Sequence, residues 1–102
     1  MGNDPETKVQ VKKILELIKS VAPGKYVELR VPPYGAIQCV AGSNHRRGTP
    51  PNTVEMSGQT LIRLINEPGL WNALCESGKV RASGGRSDLS NVFVQAAVKY
   101  RA

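Results

Sequence analysis

Residues 25–31 read KYVELRV, and the alternation in them is unbroken: Val27, Leu29 and Val31 point one way, Tyr26, Glu28 and Arg30 the other. The pattern breaks at Pro32-Pro33-Tyr34-Gly35 and continues in AIQCVAG, which pairs with the first strand across that turn. It returns in TVEM, where Val54 and Met56 oppose Thr53 and Glu55, and in KVRAS, where Val80 and Ala82 oppose Lys79, Arg81 and Ser83. A parallel sheet wrapped by helices on both faces would instead require nearly continuous apolar runs. The expected fold is a two-layer α+β domain: a twisted, mainly antiparallel sheet of about four to five strands with helices packed on one face. The covered face carries Val27, Leu29, Ile37, Val54, Met56 and Val80. The other, with Glu28, Arg30, Gln38, Glu55, Lys79 and Arg81, meets water or a partner.

The helices that do the covering are equally legible. Val11, Ile14, Leu15, Ile18 and Val21 recur at helical spacing, with Lys12, Lys13, Glu16 and Lys19 on the other side and Ala22-Pro23-Gly24 as the stop. Ser57 is placed to cap a second helix whose buried stripe is Leu61, Ile62, Leu64 and Ile65. Pro68 and Gly69 interrupt it, and a short helix with Leu70, Trp71, Leu74 and Cys75 runs to a stop at Gly78. Ser87 or Asp88 is expected to cap a last helix carrying Leu89, Val92, Phe93, Ala96 and Ala97.

The 102 residues suit one domain, 1–102, with one core. Such a core spares little empty apolar volume, so any pocket is modest or closed when empty. The net charge of +6 attracts anions of several classes, but the positive residues are scattered. One Trp, one Phe and three Tyr leave only Tyr26 on the polar sheet face, too few rings for a nucleic-acid stacking platform. Nucleic acid is therefore not an expected partner. The two cysteines make neither a disulfide framework nor a zinc site, and no metal or other cofactor is expected. With no apolar run near ~20 residues and no secretion signal at the start, the expected location is the cytoplasm.

Catalysis finds no foothold. His45 is the single histidine and lies in SNHRRGTPPN, a segment rich in turn formers. Cys39, near it in sequence, sits in a strand as a small core filler. The eight acidic residues are dispersed, and no general acid and base assemble, so no catalytic residue is assigned. The glycine-rich turn KVRASGGRSDLS lies between a strand and a helix, where phosphate is often held. Yet it matches neither the Walker spacing nor the dinucleotide fingerprint. It is either the bend that returns the last helix over the sheet or a weak anion site beside Arg86.

TVEMSGQTLIRLINEPGLWNALCESGKVRASGGRSDLSNVF resembles the closing half of the sterol carrier protein type-two superfamily, and VELRVPPYGAIQCVAGSNHRRGTPPNTVEM resembles its compact bacterial branch. Family domains usually run longer and contain a fifth strand, for which no segment is evident here. The resemblance implies an apolar tunnel between helices and sheet for sterols, fatty acyl groups or other lipids, with SGGRSDLS as a structural bend. The last helix, with Val92 and Phe93, would act as a lid. The expected lining is Leu29, Ile37, Leu64, Trp71, Leu74 and Phe93, with Arg46, Arg47 or Arg86 holding an anionic headgroup. The alternative expectation is a protein-interaction module or homodimer that uses the charged sheet face.

Overall fold

A computed structural model describes residues 4–42 and 52–102. Asp4 and Pro5 open the first helix, α1 (Pro5–Val21), and the Thr7 hydroxyl donates to Asp4 Oδ2 at 2.8 Å. Proline suits this first position because its missing N–H would have no helical partner there. β1 (Val27–Val31) and β2 (Gly35–Cys39) follow, then β3 (Asn52–Met56). Ser57 caps α2 (Gly58–Asn66) as expected, its Oγ accepting the Thr60 N–H. A 3₁₀ turn at Pro68–Leu70 leads into α3 (Trp71–Glu76), and β4 (Val80–Ser83) and α4 (Ser90–Arg101) complete the chain.

The strand order is β2-β1-β3-β4. The outer pairs are antiparallel, as expected, but the central pair, β1 with β3, is parallel, so the sheet is mixed. The cause lies in the hairpin. β2 returns the chain to the end where β1 begins, and β3 sets off from there alongside β1 in the same direction.

Register then stacks like with like. Ile37, Leu29, Val54 and Ala82 stand in one row across the sheet, and Ala36, Arg30, Glu55 and Arg81 in the next. The first row faces the helices. Leu29 and Val54 have no exposed surface, and they join Val11, Ile14, Ile18, Leu61, Leu64, Ile65 and Phe93 in one continuous core. α1 packs on β2, α3 on β4, and α4 chiefly on α1, α2 and the 3₁₀ turn.

Several details depart from the pattern. Ala82 shares its phase with Val80, but Val80 is buried and Ala82 exposed, since β4 is an edge strand with only its start under the helices. Lys79 lies in the turn before β4 rather than on the polar strand face. The last helix begins at Ser90, later than either expected cap: Ser87 is buried with its hydroxyl donating to the Gly84 carbonyl, while Asp88 Oδ1 accepts the Ser90 N–H. Val40 has φ of +70°, an outlying conformation for a β-branched residue. Two hydrogen bonds hold it there: its N–H donates to Ala22 O at 2.7 Å and its carbonyl accepts the Tyr26 N–H at 3.0 Å. Gly24 passes so close that a Cβ would lie 2.1 Å from the Val40 carbonyl oxygen. No helix among the described residues is long and apolar enough to cross a membrane.

Candidate functional site

The seam between the helices and the covered sheet face gathers five of the six expected lining residues. Leu29 comes from β1, Leu64 from α2, Trp71 and Leu74 from α3, and Phe93 from α4; all are buried. The Trp71 and Phe93 rings lie 5.9 Å apart, tilted by 35°, a favourable aromatic arrangement. Ile37 differs. It is half-buried and packs against the core from β2, at the sheet edge. The five buried side chains belong to one continuous core cluster. The expected lid residues divide likewise: Phe93 has no exposed surface, and Val92 is half-buried.

Polar function was expected at three arginines. Arg46 and Arg47, like His45, lie outside the described residues. Arg86 is exposed, and its guanidinium sits over the Tyr26 ring at 5.7 Å from the centroid. Beneath it is Asn52, a residue to which the sequence pattern assigned no role. Asn52 is 3% exposed and ties two segments together: its Nδ2 donates to Tyr26 O at 3.1 Å, and its Oδ1 accepts the Arg86 N–H at 2.9 Å. The turn therefore commits the Arg86 amide to the protein itself, while Gly84, with φ of +107°, makes the reversal. These bonds give SGGRSDLS the form of a structural bend. A polar residue at a strand's first position, just after a turn-rich segment, is the one signal in the sequence for Asn52.

The chemistry available elsewhere is spare. Cys39 is buried, and burial pushes its thiol up to about 11. Cys75 is half-buried, and its thiol is raised by that burial first and then by the charges of Asp88 and Glu76. Neither is an activated nucleophile. Among the described residues no group of three or more His, Cys, Asp or Glu is placed to share a metal ion. On the open face, Arg81 pairs with Glu55 at 3.2 Å and Arg30 with Glu28 at 3.3 Å.

Several hollows mark the surface. One of about 520 Å³ lies on the open face between Glu28, Arg30, Glu55 and the Pro32-Pro33 turn. Another of about 520 Å³ runs along the β4 edge beside Cys75, Arg81 and Ala82. A third, about 340 Å³, lies between Pro32, Ser57, Thr60 and Lys79. The fourth is a groove of about 210 Å³ between α1 and the β2 edge, lined by Lys12, Leu15, Glu16, Tyr34 and the stretch 35–37. Of these four, the last alone reaches an expected lining residue, Ile37.

Comparison with known proteins bears on this arrangement. The model of the family described as "Bacterial SCP ortholog" matches residues 4–94. Among solved structures, one titled "UbiJ-SCP2 Ubiquinone synthesis protein" superposes with a TM-score of 0.56 at 17% identity, covering 100% of this chain and 98% of that one. A likeness at that identity speaks to the fold. No curated protein matches the chain.

Proposed function

This chain belongs to the bacterial SCP ortholog family, the bacterial sterol carrier protein-like proteins, and from that membership we propose that it is a non-catalytic binder or carrier of a lipid's apolar chain. The observation that carries the reading is the one-sidedness of the sheet. Helices roof a single face, and between them lies an unbroken apolar layer reaching from Leu29 to Phe93.

A ligand would enter this layer by parting packed side chains. Each buried methylene contributes about 0.8 kcal/mol, so ten of them supply roughly 8 kcal/mol before any cost of opening. Against that stands the dispersion attraction given up when α3 and α4 move apart, part of which the ligand's own chain restores. A small domain of this kind is stable by only about 5–15 kcal/mol, so a modest separation is within reach and a wide cavity is not. The substrate class that suits this balance is a slender apolar chain.

Trp71 reports directly on the seam because its ring meets Phe93 there. Titration with a fatty acid, a sterol and an isoprenoid quinone is expected to give a saturable change in Trp71 emission with at least one of them. Native mass spectrometry of the same samples should show a one-to-one adduct. Constant emission together with the absence of any adduct across the three would sink the reading. The rival use of the open face as a dimer surface has less in its favour, since Arg81–Glu55 and Arg30–Glu28 already pair within one molecule.

A further inference from the structure

We infer that a second copy of this chain pairs with the outer edge of β4. The two strands run antiparallel about a twofold axis through Ala82, so that two four-stranded sheets join into one. This association goes beyond the lipid reading and does not depend on it.

An edge strand aims the N–H and C=O of alternate residues away from its sheet. β4 has β3 on one side only, and among the described residues the backbone of 80–83 has no hydrogen-bond partner outside that pairing. The hollow of about 520 Å³ beside it is lined by all four residues of β4, with Cys75 on the helix side and Thr53 and Glu55 on the open side. It therefore wraps the edge instead of lying on one face. α3 packs on β4, but only Val80 is buried; Arg81, Ala82 and Ser83 are exposed. Edge strands that avoid pairing carry Pro, Lys or a bulge. β4 has neither Pro nor Lys, its register against β3 is continuous, and its one charge, Arg81, reaches back across the sheet to Glu55 at 3.2 Å.

Charge and face select the register, and through it the occupant. Directly opposed residues of paired strands lie on the same sheet face. With Ala82 opposite Ala82 of the second copy, Arg81 meets Ser83 in both directions, and all three exposed residues of β4 find partners. A shift of two residues one way sets Arg81 against Arg81, a destabilising like-charge pair. The same shift the other way leaves Ser83 alone opposite a strand residue. Any odd shift brings covered-face side chains against open-face ones. One register remains, and it is self-complementary, as a twofold interface requires.

In that arrangement the helices of both copies stand on one side of the joined sheet, and the small Ala82 side chains let the strands approach beside Cys75. A strand of four residues buries far less than the ~1,200–2,000 Å² of a stable interface. The dimer is therefore weak and forms at high protein concentration.

Sedimentation equilibrium of the full chain from ~10 μM to ~1 mM is expected to show a monomer–dimer equilibrium, with association in the upper part of that range. Ala82→Lys sets like charges face to face at an exposed position. It should weaken dimerisation more than about tenfold and leave thermal unfolding, followed by circular dichroism, as in the unaltered chain. In a Cys75→Ser background, Ala82→Cys should form an intermolecular disulfide under mild oxidation. Directly opposed Cα atoms, ~4.5–5.5 Å apart, fall within the ~4.4–6.8 Å that a disulfide spans. Ser83→Cys, which faces Arg81 of the second copy, should crosslink at least about tenfold more slowly. A chain that stays monomeric at ~1 mM overturns the dimer and leaves the edge to strands of other proteins. A dimer that Ala82→Lys does not weaken has its interface elsewhere, which overturns the β4 assignment. Equal rates for Ala82→Cys and Ser83→Cys overturn the register.

Discussion

Leu29 and Arg30 are neighbours in one strand, yet Leu29 has no exposed surface and the Arg30 side chain keeps 44% of its own in water. That contrast runs across the sheet. On the covered side, packing couples every residue to several others, and removal of one leaves a void. On the open side, residues interact in pairs, Arg81 with Glu55 and Arg30 with Glu28, and water takes the place of whatever is removed. The lesson concerns function as much as stability: a lipid chain gains from the covered side by displacing side chains that already pack together, whereas the open side offers it only a shallow hollow at the Pro32-Pro33 turn among charged residues. The groove at β2 lies where the two regimes meet.

The contrast can be tested at three points. Phe93→Ala should cost about 3–5 kcal/mol in urea denaturation, because a buried ring is removed and its cavity closes only in part. A cost below ~1 kcal/mol would mean that the seam is looser than its packing implies and already has room for a ligand. Asn52→Ala, at the end of the sheet, should cost about 1–3 kcal/mol by the same measurement, since the Tyr26 carbonyl and the Arg86 N–H both lose their partner. Amide exchange at Arg86 should speed up in that variant; unchanged exchange would show that the bend holds without Asn52. Arg81→Ala on the open face should change stability by no more than ~0.5–1 kcal/mol, and less at high salt. A larger, salt-insensitive loss would show that the open face carries structure beyond its ion pairs.

Much of this architecture is legible in the sequence because it depends on local period. The alternation in β1 and β3, the helical stripe of Val11, Ile14, Leu15 and Ile18, the Ser57 cap and the break at Pro68 each follow from a few adjacent residues. The covered and open faces follow too, as does the burial of Leu29, Leu64, Trp71, Leu74 and Phe93 together. The start of α4 does not, because Ser87, a good cap by type, turns back to donate to the Gly84 carbonyl, while Asp88 accepts the Ser90 N–H from two residues before the helix. Ala82 departs for a different reason: strand phase says which way a side chain points, but not whether a helix reaches that far.

By itself, then, the chain's alternating and helical periods determined which residues are apolar neighbours and that one sheet face would be roofed. Those periods are properties of single segments, set by backbone geometry and side-chain type. The tertiary structure alone decided the parallel pairing of β1 with β3, the bridge that Asn52 makes between Tyr26 and Arg86, and the position of β2 at the edge, where Ile37 opens onto α1. These depend on contacts between residues distant in sequence, and no local pattern encodes which strand ends up with a neighbour on only one side.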